Sequence, residues 1–202
     1  MKKIIIAICG PSASGKDCLA KALIDNDVFH GANKIIRDTT RPKREGEVNG
    51  VDYNFVDSNL EFLRNACDNA YLEYSKYRGW YYGAKKSNVK DGINIGVFDY
   101  KSLERLANIR EYIIIPIYCR CGLRLRLRRS IKRENKFKLE YIRRAVSDFR
   151  DYLKFKKLLP RFINYKVLDT EHLMMKECQE VVKIFMNYMV ILSEDSYAGS
   201  QI

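Results

Sequence analysis

Apolar and polar residues follow two rhythms along this chain. Lys3 to Cys9 (KIIIAIC) is an unbroken apolar run rich in β-branched residues, and it stops at Gly10. Such a run predicts a strand covered on both faces. Ile93 to Phe98 and Tyr112 to Tyr118 repeat the pattern, and Phe162 to Leu168 reads as a last strand. Between these runs the apolar spacing becomes helical. It predicts helices over Gly15 to Ile24, Lys101 to Ile109, Leu123 to Arg133 and Leu139 to Leu159, with a break from Glu134 to Lys138 and a stop at Pro160. Glu171 to Met189 predicts a final amphipathic helix, and Ser193 to Ile202 a frayed polar end.

The rhythm breaks in the middle of the chain. Ile35 to Arg37 reads as a short strand, and Thr39 to Val56, rich in charge and glycine, as an antiparallel excursion. Ser58 to Ala70 predicts a helix capped by Ser58 or Asn59, with Leu60, Phe62, Leu63 and Cys67 at helical spacing. Leu72 to Lys85 is aromatic hairpin material around Gly79 and Gly83. Strand and helix alternation elsewhere implies an α/β fold, a parallel central sheet covered by helices, with a small mixed α+β insert between about Asp38 and Asn88. There is no internal repeat and no low-complexity linker.

Composition narrows the picture. A chain of 202 residues fits one domain with a small inserted part and needs no staples. The net charge of +12 points to phosphate-bearing partners. It is concentrated: Arg120 to Lys166 holds 17 Lys/Arg and 4 Asp/Glu, so the remainder is close to neutral. Six cysteines are too sparse for a disulfide scaffold and lie mostly in apolar runs, which predicts reduced thiols and a cytoplasmic location. His30 and His172 stand at no zinc-ligand spacing from Cys119 and Cys121. Ile4 to Cys9 is too short for a signal or membrane segment, so no membrane partner is expected.

Gly10-Pro11-Ser12-Ala13-Ser14-Gly15-Lys16 matches G-x-x-x-x-G-K between a buried strand and a helix start. In that setting the loop N–H groups and the helix N-terminus, with Asp17 and Cys18 in its first turn, cradle a nucleotide's phosphates. Lys16 then reaches the β- and γ-phosphates. Asp17 replaces the usual Ser or Thr and is a candidate Mg²⁺ ligand, directly or through water. The bland alternative is a Gly-rich turn with a solvated lysine.

The stretch TTRPKREGEVNGVDYNFV, Thr39 to Val56, carries Arg41 and Arg44 three apart and Tyr53 nine residues later. Two guanidinium forks and a phenol could meet on one phosphate. Alternatively, this is a solvated charged loop. The stretch resembles the guanylate kinase signature T-T-R-x-x-R-x-G-E-x-x-G-x-D-Y-x-F-V at every fixed position, and GPSASGK is similar to that family's GPSGxGK. The likeness continues through Leu72-Glu73-Tyr74, Trp80-Tyr81-Tyr82-Gly83, Asp99 and the Arg-rich segment.

The resemblance implies a P-loop NTPase fold with an acceptor-binding insert (39–88), a core (1–38 and 89–202) and a helical lid (about 123–140). It implies Mg-assisted transfer of the γ-phosphoryl of ATP to GMP or dGMP. Arg41, Arg44, Tyr53 and Tyr82 then resemble the ligands of the GMP phosphate, Glu73 the acceptor for guanine N1 and N2, and Asp99 the acidic residue beside that edge. Guanine offers N1–H and N2–H₂ as adjacent donors, and a carboxylate is acceptor-only when ionised. Two departures fall on the other edge of the base. Arg37 and Ala84 stand where the family has hydroxyls facing guanine O6. Arg37 either replaces them by pairing with O6 and N7, or faces solvent with weakened base selectivity. Ala13, in place of a family Gly, stiffens the loop unless its φ is negative.

Arg126, Arg129 and Arg133 lie at i, i+3 and i+7 on one helical face. With Arg144, or Arg143 in its place, they resemble the arginines that close over the ATP phosphates. Lys16, Arg41, Arg129, Arg133 and Arg144 are thus the expected catalytic cations. Much of the remaining basic segment is a solvated face, including Lys132, Lys136 and Lys138. Asp169-Thr170 replaces a family Asn near the adenine and leaves donor preference open. No nucleic-acid reader motif is visible, and a monomer or homodimer is expected. Competing readings are a kinase of this fold with a shifted acceptor, such as another nucleoside monophosphate or a sugar phosphate, and a non-catalytic protein-binding module.

Overall fold

The computed structural model describes residues 3–134, 140–171 and 179–184, apart from the side chains at 133, 134, 140, 142 and 144. Its first element, β1 (Lys3–Cys9), leads through a loop into α1 (Lys16–Ile24), and β2 (Asn33–Lys34) follows. Next come β3 (Asp38–Thr39), β4 (Asn54–Phe55), α2 (Asn59–Cys67), β5 (Tyr71–Tyr77) and β6 (Trp80–Lys85). The chain then returns through β7 (Gly92–Val97), α3 (Tyr100–Leu106), β8 (Tyr112–Arg120), α4 (Leu123–Glu134), α5 (Glu140–Leu158) and β9 (Lys166–Asp169).

Five strands form one sheet in the order β2-β7-β1-β8-β9, every pair parallel. β1 is central, which explains its unbroken apolar run. Successive side chains point to opposite faces. Ile4, Ile6 and Ile8 enter a core with Leu19, Leu23 and Phe29, whereas Ile5, Ala7 and Cys9 enter another with Leu103, Leu106, Phe155 and Leu158. One strand therefore feeds two cores, and a polar residue between Ile4 and Cys9 would be buried among apolar side chains.

The second sheet runs β4-β3-β6-β5. β5 and β6 form an antiparallel hairpin whose turn residues, Arg78 and Gly79, both have positive φ, 54° and 88°. Two positive φ values at the centre of a two-residue turn match the twist of the flanking strands. Ser58 caps α2 by accepting from the Glu61 N–H, and Phe62 on that helix stacks on Tyr71 and Tyr81 at 4.5 and 5.3 Å between ring centroids. Gly83 is required there, because a Cβ would come within 2.9 Å of both Phe62 and Tyr71.

Several expectations need correction. Ile35 to Arg37 is no strand: the chain leaves the first sheet after Lys34 and joins the second at Asp38, so these residues are the crossing between sheets. The excursion after Thr39 is not antiparallel, since β4 pairs with β3 in parallel. The last strand begins at Lys166 rather than Phe162. Cys9, Cys119 and Cys121 are buried and in no disulfide, as expected, but Cys18 and Cys67 are exposed. The break at 134–138 falls largely outside the described residues, as do the polar end and most of the final helix, of which 179–184 is helical.

Candidate active site

At the C-terminal end of β1 the chain turns sharply through Gly10, whose φ is 142° and where a Cβ would strike the Cys119 carbonyl. Gly15, at φ 91°, caps α1. Ala13 adopts φ 60°, a left-handed conformation that costs an L-residue about 1–2 kcal/mol. The condition under which Ala13 would fit without strain is thus not met. Lys16 Nζ donates to the loop's own Pro11 carbonyl at 2.6 Å. Thr170 Oγ1 donates to the Ser14 carbonyl at 2.6 Å and ties the loop to the end of β9, while the buried Ser14 Oγ has no hydrogen-bond partner among the described residues.

The basic segment folds back over this loop. Arg126 donates from Nε to the Cys121 carbonyl at 3.1 Å and pairs with Asp148 at 2.7 Å. Asp148, on α5, also accepts the Ser12 N–H at 3.1 Å, so one carboxylate joins the loop to α4. Arg129 donates to the carbonyls of Ala13 and Thr170 at 3.4 and 3.0 Å. Arg124, Arg128 and Lys132 are exposed. The side chains of Arg133 and Arg144 lie outside the described residues. Asp148 was missed in the sequence; its only signal is that it is one of four acids in a strongly basic stretch.

Across the cleft, Arg41 follows β3 and is buried, with Nη2 donating to both oxygens of Glu47 at 2.7 and 2.9 Å. Glu47 also accepts the Arg44 N–H at 2.8 Å, drawing both arginines together. The Arg41 guanidinium lies 5.5 Å from the Tyr53 ring, and Tyr53 meets Tyr82 edge-on at 6.0 Å. Burial opposes the Arg41 charge, but Glu47 outweighs it and raises the pKa. Burial and the nearby Asp17 push Tyr53 up to about 12.

The base end of the cleft differs from expectation. Arg37 is buried, its side chain 6% exposed, and its Nη2 lies 3.1 Å from Glu73 Oε1, 3.5 Å from Asp99 Oδ2 and 2.7 Å from Ser102 Oγ. The solvent-facing alternative is excluded. Glu73 has no exposed side-chain surface; besides Arg37 it accepts the Ala84 N–H at 3.2 Å. The Ala84 side chain packs into the apolar core with Val89 and Phe98. Asp99 caps α3 through the Ser102 N–H and accepts from the hydroxyls of Ser75 and Ser102, at 2.7 and 3.0 Å. Burial works against the Asp99 charge, yet Arg37 and the serines hold its carboxyl below the usual range, whereas burial raises Glu73 despite Arg37.

Gly10, Ser12, Ala13, Lys16, Asp17, Arg37, Arg41, Arg44, Tyr53, Tyr82 and Asp99 all line one cleft of about 190 Å³, with Asp148 and Asp151 on its wall. Ser14, Gly15, Cys18, Glu73, Ala84, Arg126 and Arg129 do not face it directly. Among the described residues no three His, Cys, Asp or Glu cluster as metal ligands. Asp17, an exposed carboxylate beside the phosphate cradle, fits Mg²⁺, which takes one or two protein carboxylates and draws its other ligands from phosphates and water. No helix among the described residues is long and apolar enough to cross a membrane.

A family model described as guanylate kinase matches residues 1–159. A guanylate kinase of Blochmanniella floridana is 39% identical over 106 residues, 50% of this chain and 50% of that protein. One from Ehrlichia chaffeensis is 37% identical over 120 residues, 57% and 56% of the two chains. The chain therefore spans about half the length of the curated relatives it matches. The crystal structure of guanylate kinase from Anaplasma phagocytophilum superposes with a TM-score of 0.62 at 19% identity, over 93% of this chain and 87% of that one. Likeness at that identity speaks to the fold, the α/β P-loop NTPase arrangement of a parallel sheet with helices.

Proposed function

The chain belongs to the guanylate kinase family, and on that premise we propose that it transfers the γ-phosphoryl of ATP to GMP or dGMP, yielding GDP or dGDP and ADP. The observation that carries the reading is that the phosphate loop and the Arg41–Arg44–Tyr53–Tyr82 cluster open onto the same cleft. A donor cradle and an acceptor-phosphate cluster are thereby held face to face.

In this reading the residues 10–16 wrap the donor phosphates with backbone N–H groups, and Lys16 leaves the Pro11 carbonyl for the β- and γ-phosphates. Arg41 and Arg44 exchange Glu47 for the acceptor phosphate, and Tyr53 and Tyr82 donate hydroxyls to it. An oxygen of that phosphate attacks the γ-phosphorus while the bond to the β-phosphate bridging oxygen breaks, leaving ADP. The protein's work is positioning and charge neutralisation. Arg129 and Arg126, with Arg133 and Arg144, supply positive charge as the lid (123–140) and the insert (39–88) close on the core (1–38 and 89–202). Closure also excludes water and so limits idle hydrolysis. Asp17 would hold Mg²⁺, which neutralises phosphate charge when bound. The free thiols suit a reducing, cytoplasmic setting.

The test is an assay of ADP release with GMP, dGMP, AMP, UMP and CMP. Turnover with GMP or dGMP is expected; measurable ATP binding without turnover of any of the five would sink the proposal.

A further inference from the structure

Resting on the phosphoryl-transfer reading above, we infer that Arg37 and Asp99, not Glu73, meet the acceptor base, so that the site selects 6-oxopurine monophosphates without reading the 2-amino group. Glu73 is the carboxylate that the family pattern would set against guanine N1 and N2. Here it sits behind Arg37: both its oxygens lie 3.1–3.2 Å from Arg37 Nη2, one also takes the Ala84 N–H, and its side chain is wholly buried. Arg37 and Asp99 line the cleft and Glu73 does not.

Swinging Arg37 aside would separate a buried guanidinium from two carboxylates. That loss exceeds what hydrogen bonds to an uncharged base edge return. Asp99 is also nearly spent. A carboxylate offers about four acceptor positions; Asp99 Oδ2 takes the hydroxyls of Ser75 and Ser102 and lies 3.5 Å from Arg37 Nη2, and Oδ1 takes the Ser102 N–H, which leaves one position, on Oδ1. The remaining position serves one ring N–H, but not N1–H and the 2-amino group together.

Arg37 spends Nη2 on Glu73 and Ser102 and one Nη1 hydrogen on the Val97 carbonyl at 3.4 Å, so what faces the base is the remainder of one guanidinium, a pure donor, beside one free acceptor position. The complement is a carbonyl oxygen next to a ring N–H, the O6/N1–H edge common to guanine and hypoxanthine. Adenine presents an amine and an unprotonated N1 there, which opposes donor to donor and acceptor to acceptor. The 2-amino group, which alone separates GMP from inosine monophosphate, has no acceptor left to find.

The experiment compares kcat/KM for GMP, inosine monophosphate and AMP in the unmodified protein and in Arg37→Ser and Glu73→Gln. The expected result is inosine monophosphate within tenfold of GMP and AMP at least a hundredfold below both. Arg37→Ser should free Glu73 and widen the GMP-to-inosine ratio at least tenfold. Glu73→Gln, which keeps the shape of the buried pocket should Arg37→Ser fail to fold, should leave that ratio within threefold. A GMP preference above tenfold in the unmodified protein, or a ratio that collapses in Glu73→Gln, overturns the inference while the kinase reading stands. Absence of all turnover would instead strike the kinase reading; calorimetric binding of GMP and inosine monophosphate then decides the inference, comparable affinities supporting it and a tenfold gap, or no binding, overturning it.

Discussion

The two ends of the cleft are built on different principles. At the proposed donor end, consecutive residues from Gly10 to Lys16 form one loop, and the working groups we assign to it are backbone N–H groups whose direction follows from local φ and ψ. At the base end, Arg37, Glu73, Asp99 and Ser102 come from the crossing between the sheets, from β5 and from α3, and their working groups are side chains that spend most of their hydrogen bonds on one another. The contrast is one of local backbone geometry against long-range side-chain pairing. A contiguous cradle fails when one φ fails, while a side-chain network can exchange partners and remain satisfied.

The largest expected effect tests the donor end. Lys16→Ala removes the one side-chain cation of the loop, and kcat should fall about 10²–10³-fold, the scale of losing one preorganised transition-state donor. A loss below tenfold would mean the backbone cradle suffices alone. Next, Asp148→Ala leaves the Arg126 guanidinium and the Ser12 N–H without their shared carboxylate, and urea denaturation should report a loss of about 1.5–3 kcal/mol. No loss would detach α5 from the donor end.

Acid sensitivity probes the base end. Arg37, Ser75 and Ser102 overcome burial to keep the Asp99 carboxyl below its ordinary range. Its stabilising contribution is therefore complete above about pH 4, the unfolded value, and is lost as pH falls through the folded one. Asp99→Asn should flatten the decline in stability below pH 4, measured by denaturant midpoints at successive pH values; an unchanged slope would sever Asp99 from Arg37. The smallest effect returns to the loop. Ala13→Gly relieves the left-handed strain at φ 60° and should raise stability by about 1 kcal/mol in thermal melts.

Ease of reading from sequence follows the same division. β1, β7 and β8, the helices between them and the loop were all legible, because two-sided burial and helical periodicity are written in consecutive residues. So was the face of α4 carrying Arg126 and Arg129. The stretch Ile35 to Arg37 was not legible. Two apolar residues before an arginine fit a strand, and nothing local says that the chain leaves one sheet there for another. The parallel pairing of β3 with β4 was hidden for the same reason, being decided by where the loop from 40 to 53 delivers the chain.

Sequence by itself thus determined the α/β class, the sharp turn at Gly10 between β1 and α1, and the family. Only the tertiary structure decided that Arg37 turns inward between Glu73 and Asp99, that Ala84 packs into the core, and that Asp148 bridges the loop to Arg126. The physical reason is range. Propensity, periodicity and turn geometry act over a few residues, whereas a buried charge takes whichever opposite charge the fold brings within about 3 Å, and Glu73, the nearest to Arg37, is 36 residues away.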